Sequence, residues 1–122
     1  MKTHGITWHA TVVASDKFAA QKQFALATLG LTLLMEMEGV AVFTMPNGSI
    51  YEIYVPETVP PYGYNDGIAF GWRVDDIDLA SMELAAAGNV LLGEINRVPE
   101  MKYAYRHFRA PDGRVYGINE QK

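Results

Sequence analysis

Residues 6–16 read ITWHATVVASD. Ile6, Trp8, Ala10 and Val12 alternate with Thr7, His9, Thr11 and Val13. That period of two predicts a β-strand over Ile6–Ser15 with one core face and one more polar face. Ser15 or Asp16 is suited to cap a helix that runs to Gly30, with Phe18, Ala25, Leu26 and Leu29 as its apolar stripe. Beyond it, Leu31–Glu36 and Val40–Met45 read as strands turning at Glu38-Gly39. Asn47-Gly48 is a hairpin signal, and Ser49–Val55 is a further strand.

The order then repeats. Residues 68–76 read IAFGWRVDD, a strand over Ile68–Val74 followed by Asp75 or Asp76 as helix cap. The helix carries Leu79, Met82, Leu84 and Ala87 and stops at Gly88. Val90–Glu94 reads as a short strand and Asn96–Lys102 as a loop. Tyr103–Arg109 and Arg114–Asn119 are strands joined by Pro111-Asp112-Gly113. Between the halves, Pro56–Asp66 holds three prolines, two tyrosines and a glycine, the composition of a connector. The chain thus reads as one α+β domain over 1–122: a first βαβββ module at about 5–55, a connector at 56–66 and a second module at about 67–120.

Composition narrows the function. A net charge of −4 disfavours general binding to a phosphate backbone, so no nucleic-acid partner is expected. The absence of cysteine excludes disulfides and zinc–thiolate sites. His4, His9 and Thr11 interrupt any leader-like apolar run, and no stretch approaches spanning length. A cytoplasmic location with no membrane partner is expected. There is no phosphate loop, nucleophile elbow or HExxH motif. Asp75-Asp76-Ile77-Asp78 lacks the spacing of a calcium loop and suits helix capping.

The ordered set Trp8-His9, Ser15-Asp16, Leu29-Gly30, Asn47-Gly48 before Tyr51-Glu52, Ile68-Ala69-Phe70 before Val74-Asp75-Asp76, and Pro111-Asp112-Gly113 resembles the vicinal oxygen chelate superfamily. That superfamily includes glyoxalase I, extradiol dioxygenases, fosfomycin-resistance enzymes and bleomycin-binding proteins. The resemblance covers nearly the whole chain. It implies two βαβββ modules forming a cupped mixed sheet around a pocket, with helices on the outer face, in a homodimer. It also implies that metal-dependent members take one ligand from the first and one from the last strand of each module. His9 and Glu52 fall at those places in the first module. Ala69 and Gly117 fall there in the second, so half the ligand set is missing. Two protein ligands fall short of the usual three, so no cofactor is expected, and a divalent metal, if held at all, would sit on His9 and Glu52.

The remaining candidate ligand-binding residues follow from strand parity. His9, alternating with Trp8 and Ala10, is expected to face away from the helix and line the pocket. The plainer alternative is a histidine satisfied by a neighbouring hydrogen bond, with Glu52 as one candidate partner. Glu52 is a mid-strand carboxylate that needs a partner if buried, and Tyr54 shares its face. Arg73 shares a face with Ala69 and Gly71, whose small size leaves room. It is suited to an anionic group or to pairing with Glu52 or Asp75. Tyr105 and His107 are favoured over the Phe108 face of their strand. Tyr62 and Tyr64 can cover the pocket or pack on a dimer partner. Trp8 and Trp72 are read as core beneath the helices. Acidic composition suits a neutral or cationic ligand and Arg73 an anionic one; both stay open.

Two functions follow. One is a small-molecule-binding protein of the glyoxalase/bleomycin-resistance type, independent of metal, sequestering an organic ligand. The other is an enzyme: a metal-dependent lyase, isomerase or dioxygenase-like protein using His9 and Glu52, or a metal-free one in which either residue moves a proton.

Overall fold

The computed structural model describes residues 1–122. The chain divides into two compact units, Trp8–Ala69 and Phe70–Lys122, the latter joined by Met1–Thr7. The first strand, β1 (Thr3–Val12), is therefore shared in sequence: Thr3–Thr7 belongs to the second unit and Trp8–Val12 to the first.

In the first unit a helical segment follows β1. A 3-10 turn at Ser15–Lys17 leads into α1 (Phe18–Gln23), which widens into a π-turn over Phe24–Thr28. There the Leu29 amide reaches back to the Phe24 carbonyl at 3.0 Å. Gly30, at φ +70, ends the segment in a conformation that favours glycine. Neither Ser15 nor Asp16 caps it. Ala14 occupies the cap without a side-chain bond, and Ser15 Oγ instead donates to Glu57. β2 (Thr32–Met37), β3 (Val40–Thr44) and β4 (Ile50–Tyr54) complete a sheet in the order β2-β3-β4-β1. β1 and β4 are parallel and the other pairs antiparallel. Ala25 of the helical segment packs on Ala41, Phe43 and Ile53, with Val13, Phe18, Leu26 and Tyr51 around them.

The second unit repeats this plan with β5 (Ile68–Val74), α2 (Ile77–Ala86), β6 (Val90–Val98), β7 (Tyr103–Arg109) and β8 (Val115–Gln121). Its order is β5-β8-β7-β6, again with one parallel pair, β5/β8. Here the cap is as expected: Asp76 accepts from the Leu79 amide at 3.0 Å. Val74, Ile77, Ala80, Ala104, Phe108 and Ile118 form the core, with Trp72 and Tyr116 packed against it.

One strand differs from expectation. β6 runs to Val98, through the first three residues of the predicted loop. Asn96, Arg97 and Val98 pair with Tyr105, Ala104 and Tyr103 beyond an irregularity that contains Gly93 at φ +69. Polar residues mislead here because an edge strand wets one side. The α+β class and the two βαβββ modules are otherwise as the sequence predicts.

Candidate functional site

Each sheet has a face covered by its helix and a far face. In the first unit Tyr51 and Ile53 lie on the helix face, since Ile53 is in the core with Ala25. Alternation puts Ile50, Glu52 and Tyr54 on the far face. The parallel register pairs His9 with Tyr51, Thr11 with Ile53, and Ala10 with Glu52. His9 is therefore on the helix side, with Nδ1–H donating to the Ile50 carbonyl at 3.0 Å. Beside it, the Thr11 and Tyr51 hydroxyls meet at 2.8 Å, and Gln21 of α1 donates to Tyr51 at 3.1 Å.

This corrects the expected pairing of His9 with Glu52. The two residues occupy opposite faces, so His9 neither partners Glu52 nor shares an ion with it. The residue of β1 that reaches Glu52 is Trp8, whose indole N–H donates to Oε1 at 2.7 Å. The Tyr54 hydroxyl donates to the same oxygen at 2.8 Å. Trp8 is 6% exposed, as a core residue would be, but on the far face. Tyr64 of the connector lies edge-on to both Trp8 (ring centroids 5.5 Å) and Tyr54 (5.4 Å).

Burial dominates the electrostatics of this cluster. It pushes the Glu52 carboxyl above its ordinary range, although the Trp8 and Tyr54 bonds favour the charged form and pull the other way. The Tyr54 hydroxyl is pushed up by burial first, and then by the neighbouring Glu52 charge and Tyr64. The result is a desolvated carboxyl, raised in pKa and fixed by two aromatic donors.

In the second unit Trp72 and Phe108 lie on the helix face. Arg73, Tyr105 and His107 therefore share the far face, in register with Asn119 and Gly117 of β8. Asn119 is 2% exposed. The Thr7 hydroxyl donates to its Oδ1 at 3.1 Å, and its Nδ2 donates to the Trp72 carbonyl at 3.4 Å. The Tyr103, Tyr105 and His107 rings follow one another at 6.0 and 5.8 Å. Burial lowers His107 to about 4, so its imidazole is neutral at pH 7.

Gly71 does not supply the ligand room expected of it. A Cβ there would stand 2.5 Å from the Gly117 carbonyl oxygen, so the glycine is required by the close approach of two backbones. Asp75 is bonded to His4. Sequence reasoning missed Trp8 as a Glu52 partner and Asn119 altogether. Val13, on the core side with Phe18, was the available signal for β1: counting back from it puts Thr11 and His9 inward.

No protein-family model matches the sequence, and no curated protein is similar to it. Solved structures are similar to it in fold. A glyoxalase/bleomycin resistance protein/dioxygenase superfamily member from Vibrio splendidus aligns with TM-score 0.63 and 16% identity over 98% of this chain and 100% of that one. A methylmalonyl-CoA epimerase from Mycobacterium tuberculosis aligns at 0.67 and 18% over 98% and 89%. A Mn(II)-bound glyoxalase from Novosphingobium aromaticivorans aligns at 0.74 and 17% over 98% of this chain but 39% of that one. The residues here do not fit such a metal. No three His, Cys, Asp or Glu side chains come together, and Glu52 Oε1 already accepts two hydrogen bonds. Two matching βαβββ modules, in a chain aligned over nearly its whole length with these structures, give it the vicinal oxygen chelate fold.

Proposed function

We propose that this chain binds a small organic molecule without a metal, through the far faces of its sheets, as a single-domain, cytoplasmic homodimer. The observation that carries the reading is the Trp8–Glu52–Tyr54 cluster. The one carboxylate at a family ligand place is fixed by aromatic donors, and the histidine expected beside it faces the helix. Aromatic walls with a few fixed polar groups are the usual composition of organic-ligand sites. The dimer finds support in β2, where Leu33, Leu34, Met35 and Met37 are all exposed. Light scattering during gel filtration tests it, and a monomer mass at micromolar concentration would remove it.

The binding reading is tested by a thermal-shift screen of aromatic and drug-like compounds with chelator present. Ligands should raise the melting temperature regardless of chelator. Stabilisation that appears only on adding manganese, nickel or zinc would reverse the metal assignment.

A second reading is a metal-free proton-transfer enzyme, and the raised pKa of Glu52 favours it. A carboxyl whose pKa is raised by burial is suited to acid–base work beside a carbonyl. Exchange of carbon-bound hydrogen for deuterium in carbonyl compounds, followed by NMR, would be lost in Glu52→Gln. Equal exchange by the variant would eliminate this reading.

A further inference from the structure

The Glu52 cluster is covered by a single side chain of the connector. Tyr64, 4% exposed, lies edge-on to Trp8 and Tyr54, the two residues that donate to Glu52. Its hydroxyl is also bonded to Tyr54. Tyr54 gives its one proton to Glu52, so it can only accept from Tyr64. The bonds therefore run from the Tyr64 hydroxyl through Tyr54 to Glu52, and the Trp8 N–H closes on the same oxygen. A ligand that reaches this cluster must take the place of a flat ring carrying one donor.

The segment that holds the ring is built unlike a core element. From Pro56 to Ile68, Tyr64 alone is buried. Thr58 anchors the start of the segment on the Val55 carbonyl. Beyond it, the Gly63 amide donates to Pro60, the Gly67 amide to Tyr64, and the Asn65 side chain to the Ile68 carbonyl, so the segment folds on itself. Four of the residues 63–67 have positive φ: Gly63 at +75, Asn65 at +37, Asp66 at +60 and Gly67 at +106. Glycine adopts this conformation freely, whereas Asn65 and Asp66 carry a Cβ that is disfavoured there. The ring holds that strain in place, so a molecule that displaces the ring also releases the strain.

We propose that residues 60–67 form a strap whose Tyr64 ring plugs the Glu52 site, and that the ligand is a neutral phenol-type aromatic that displaces this ring by copying it, with one O–H for Tyr54. The proposal rests on the small-molecule-binding reading above and names both its ligand class and its gate.

The probes are p-cresol, which is the tyrosine side chain itself, and 4-fluorotoluene, which keeps the shape and lacks the donor. Binding to the whole chain is read from the Trp8 indole N–H signal by NMR, assigned with Trp72→Phe. The unmodified chain should bind p-cresol weakly. Tyr64→Ala removes the plug and should bind it about 10- to 1000-fold tighter, the factor by which a minor open state lowers affinity. It should prefer p-cresol to 4-fluorotoluene by about 2- to 10-fold, the usual worth of one hydrogen bond. Tyr64→Phe keeps the ring and deletes its donor; it should tighten binding by a similar factor, and it serves if Tyr64→Ala does not melt cooperatively. Asp66→Val strains the closed strap at an exposed residue, away from the ring. It should tighten p-cresol binding about 5- to 30-fold over the unmodified chain, the equivalent of the left-handed penalty. Added to Tyr64→Ala it should change affinity by less than about 2-fold, because no plug is left to release.

Tyr64 variants that bind p-cresol no better than the unmodified chain would overturn the proposal, since the ring would not hold the ligand's place. Binding by Tyr64→Ala alone, with none by the unmodified chain or Asp66→Val, would also overturn it, since the ring would then be fixed core. Equal binding of the two probes would overturn the ligand class. Ligands from the broad screen whose affinity ignores Tyr64→Phe and Asp66→Val would overturn the strap and leave small-molecule binding standing. A blank screen with no binding of p-cresol to any variant would overturn both.

Discussion

His107 makes the stability of this protein acid-sensitive in a defined window. Its imidazole is 7% exposed and is lowered by burial from 6.5 to about 4. Above pH 6.5 neither the folded nor the unfolded chain protonates it. Between pH 6.5 and pH 4 the unfolded chain takes the proton and the folded chain refuses it, so stability is lost as the pH falls. Two and a half pKa units at about 1.4 kcal/mol each amount to about 3 kcal/mol, of which about 2 kcal/mol is gone by pH 5. A chain of this length has a melting entropy of about 0.26 kcal/mol/K, which converts the full loss to about 12 °C in Tm. The assay is thermal melting of the unmodified chain and of His107→Gln at pH 7, 6, 5 and 4. The variant starts lower, because an amide replaces a packed ring, but the gap should close on acidification. NMR titration of the imidazole gives the pKa directly. Parallel melting curves, or a measured pKa at or above 6.5, would refute the assignment of His107 as a buried neutral base.

Glu52 acts with the opposite sign. Its carboxyl is raised, so the stability it contributes is full below about pH 4.5 and falls as the pH rises through its folded value. Glu52→Gln should therefore gain on the unmodified chain by up to about 1.4 kcal/mol per pH unit within that window, read by urea melts at pH 5 and pH 7. Trp8→Phe keeps the ring against Tyr64 but deletes the N–H bonded to Glu52. It should cost about 1–3 kcal/mol, while the double variant with Glu52→Gln should lose less than the sum of the singles in a double-mutant cycle. Gly71→Ala forces a methyl against the Gly117 backbone and should lower Tm by about 4–12 °C, the equivalent of about 1–3 kcal/mol; an unchanged Tm would mean that β5 and β8 separate freely.

Much of the architecture was legible because local chemistry and global packing agree. Gly30 ends the first helical segment, Asp76 caps the second, and the period-two runs at Ile68–Val74 and Tyr103–Arg109 are strands at those bounds. Legibility failed where two patterns compete. Val12-Val13 gives β1 apolar residues on both parities, and the size of Trp8 suggested that its face was the core. β6 was cut short because Asn96 and Arg97 are polar, yet the strand continues through pairing with β7.

By itself the sequence determined the repeated βαβββ order, the stop at Gly30, the Asp76 cap and the presence of one carboxylate at the close of the first module, because each depends on residues near one another in the chain. Tertiary structure decided which side of β1 meets Glu52. A one-residue choice of register moves every side chain to the other face, and only packing of the helical segment on Val13, Phe43 and Ile53 selects between the two. That choice turned His9 inward, brought Trp8 to the carboxyl, and made a ligand place into a desolvated, hydrogen-bonded acid.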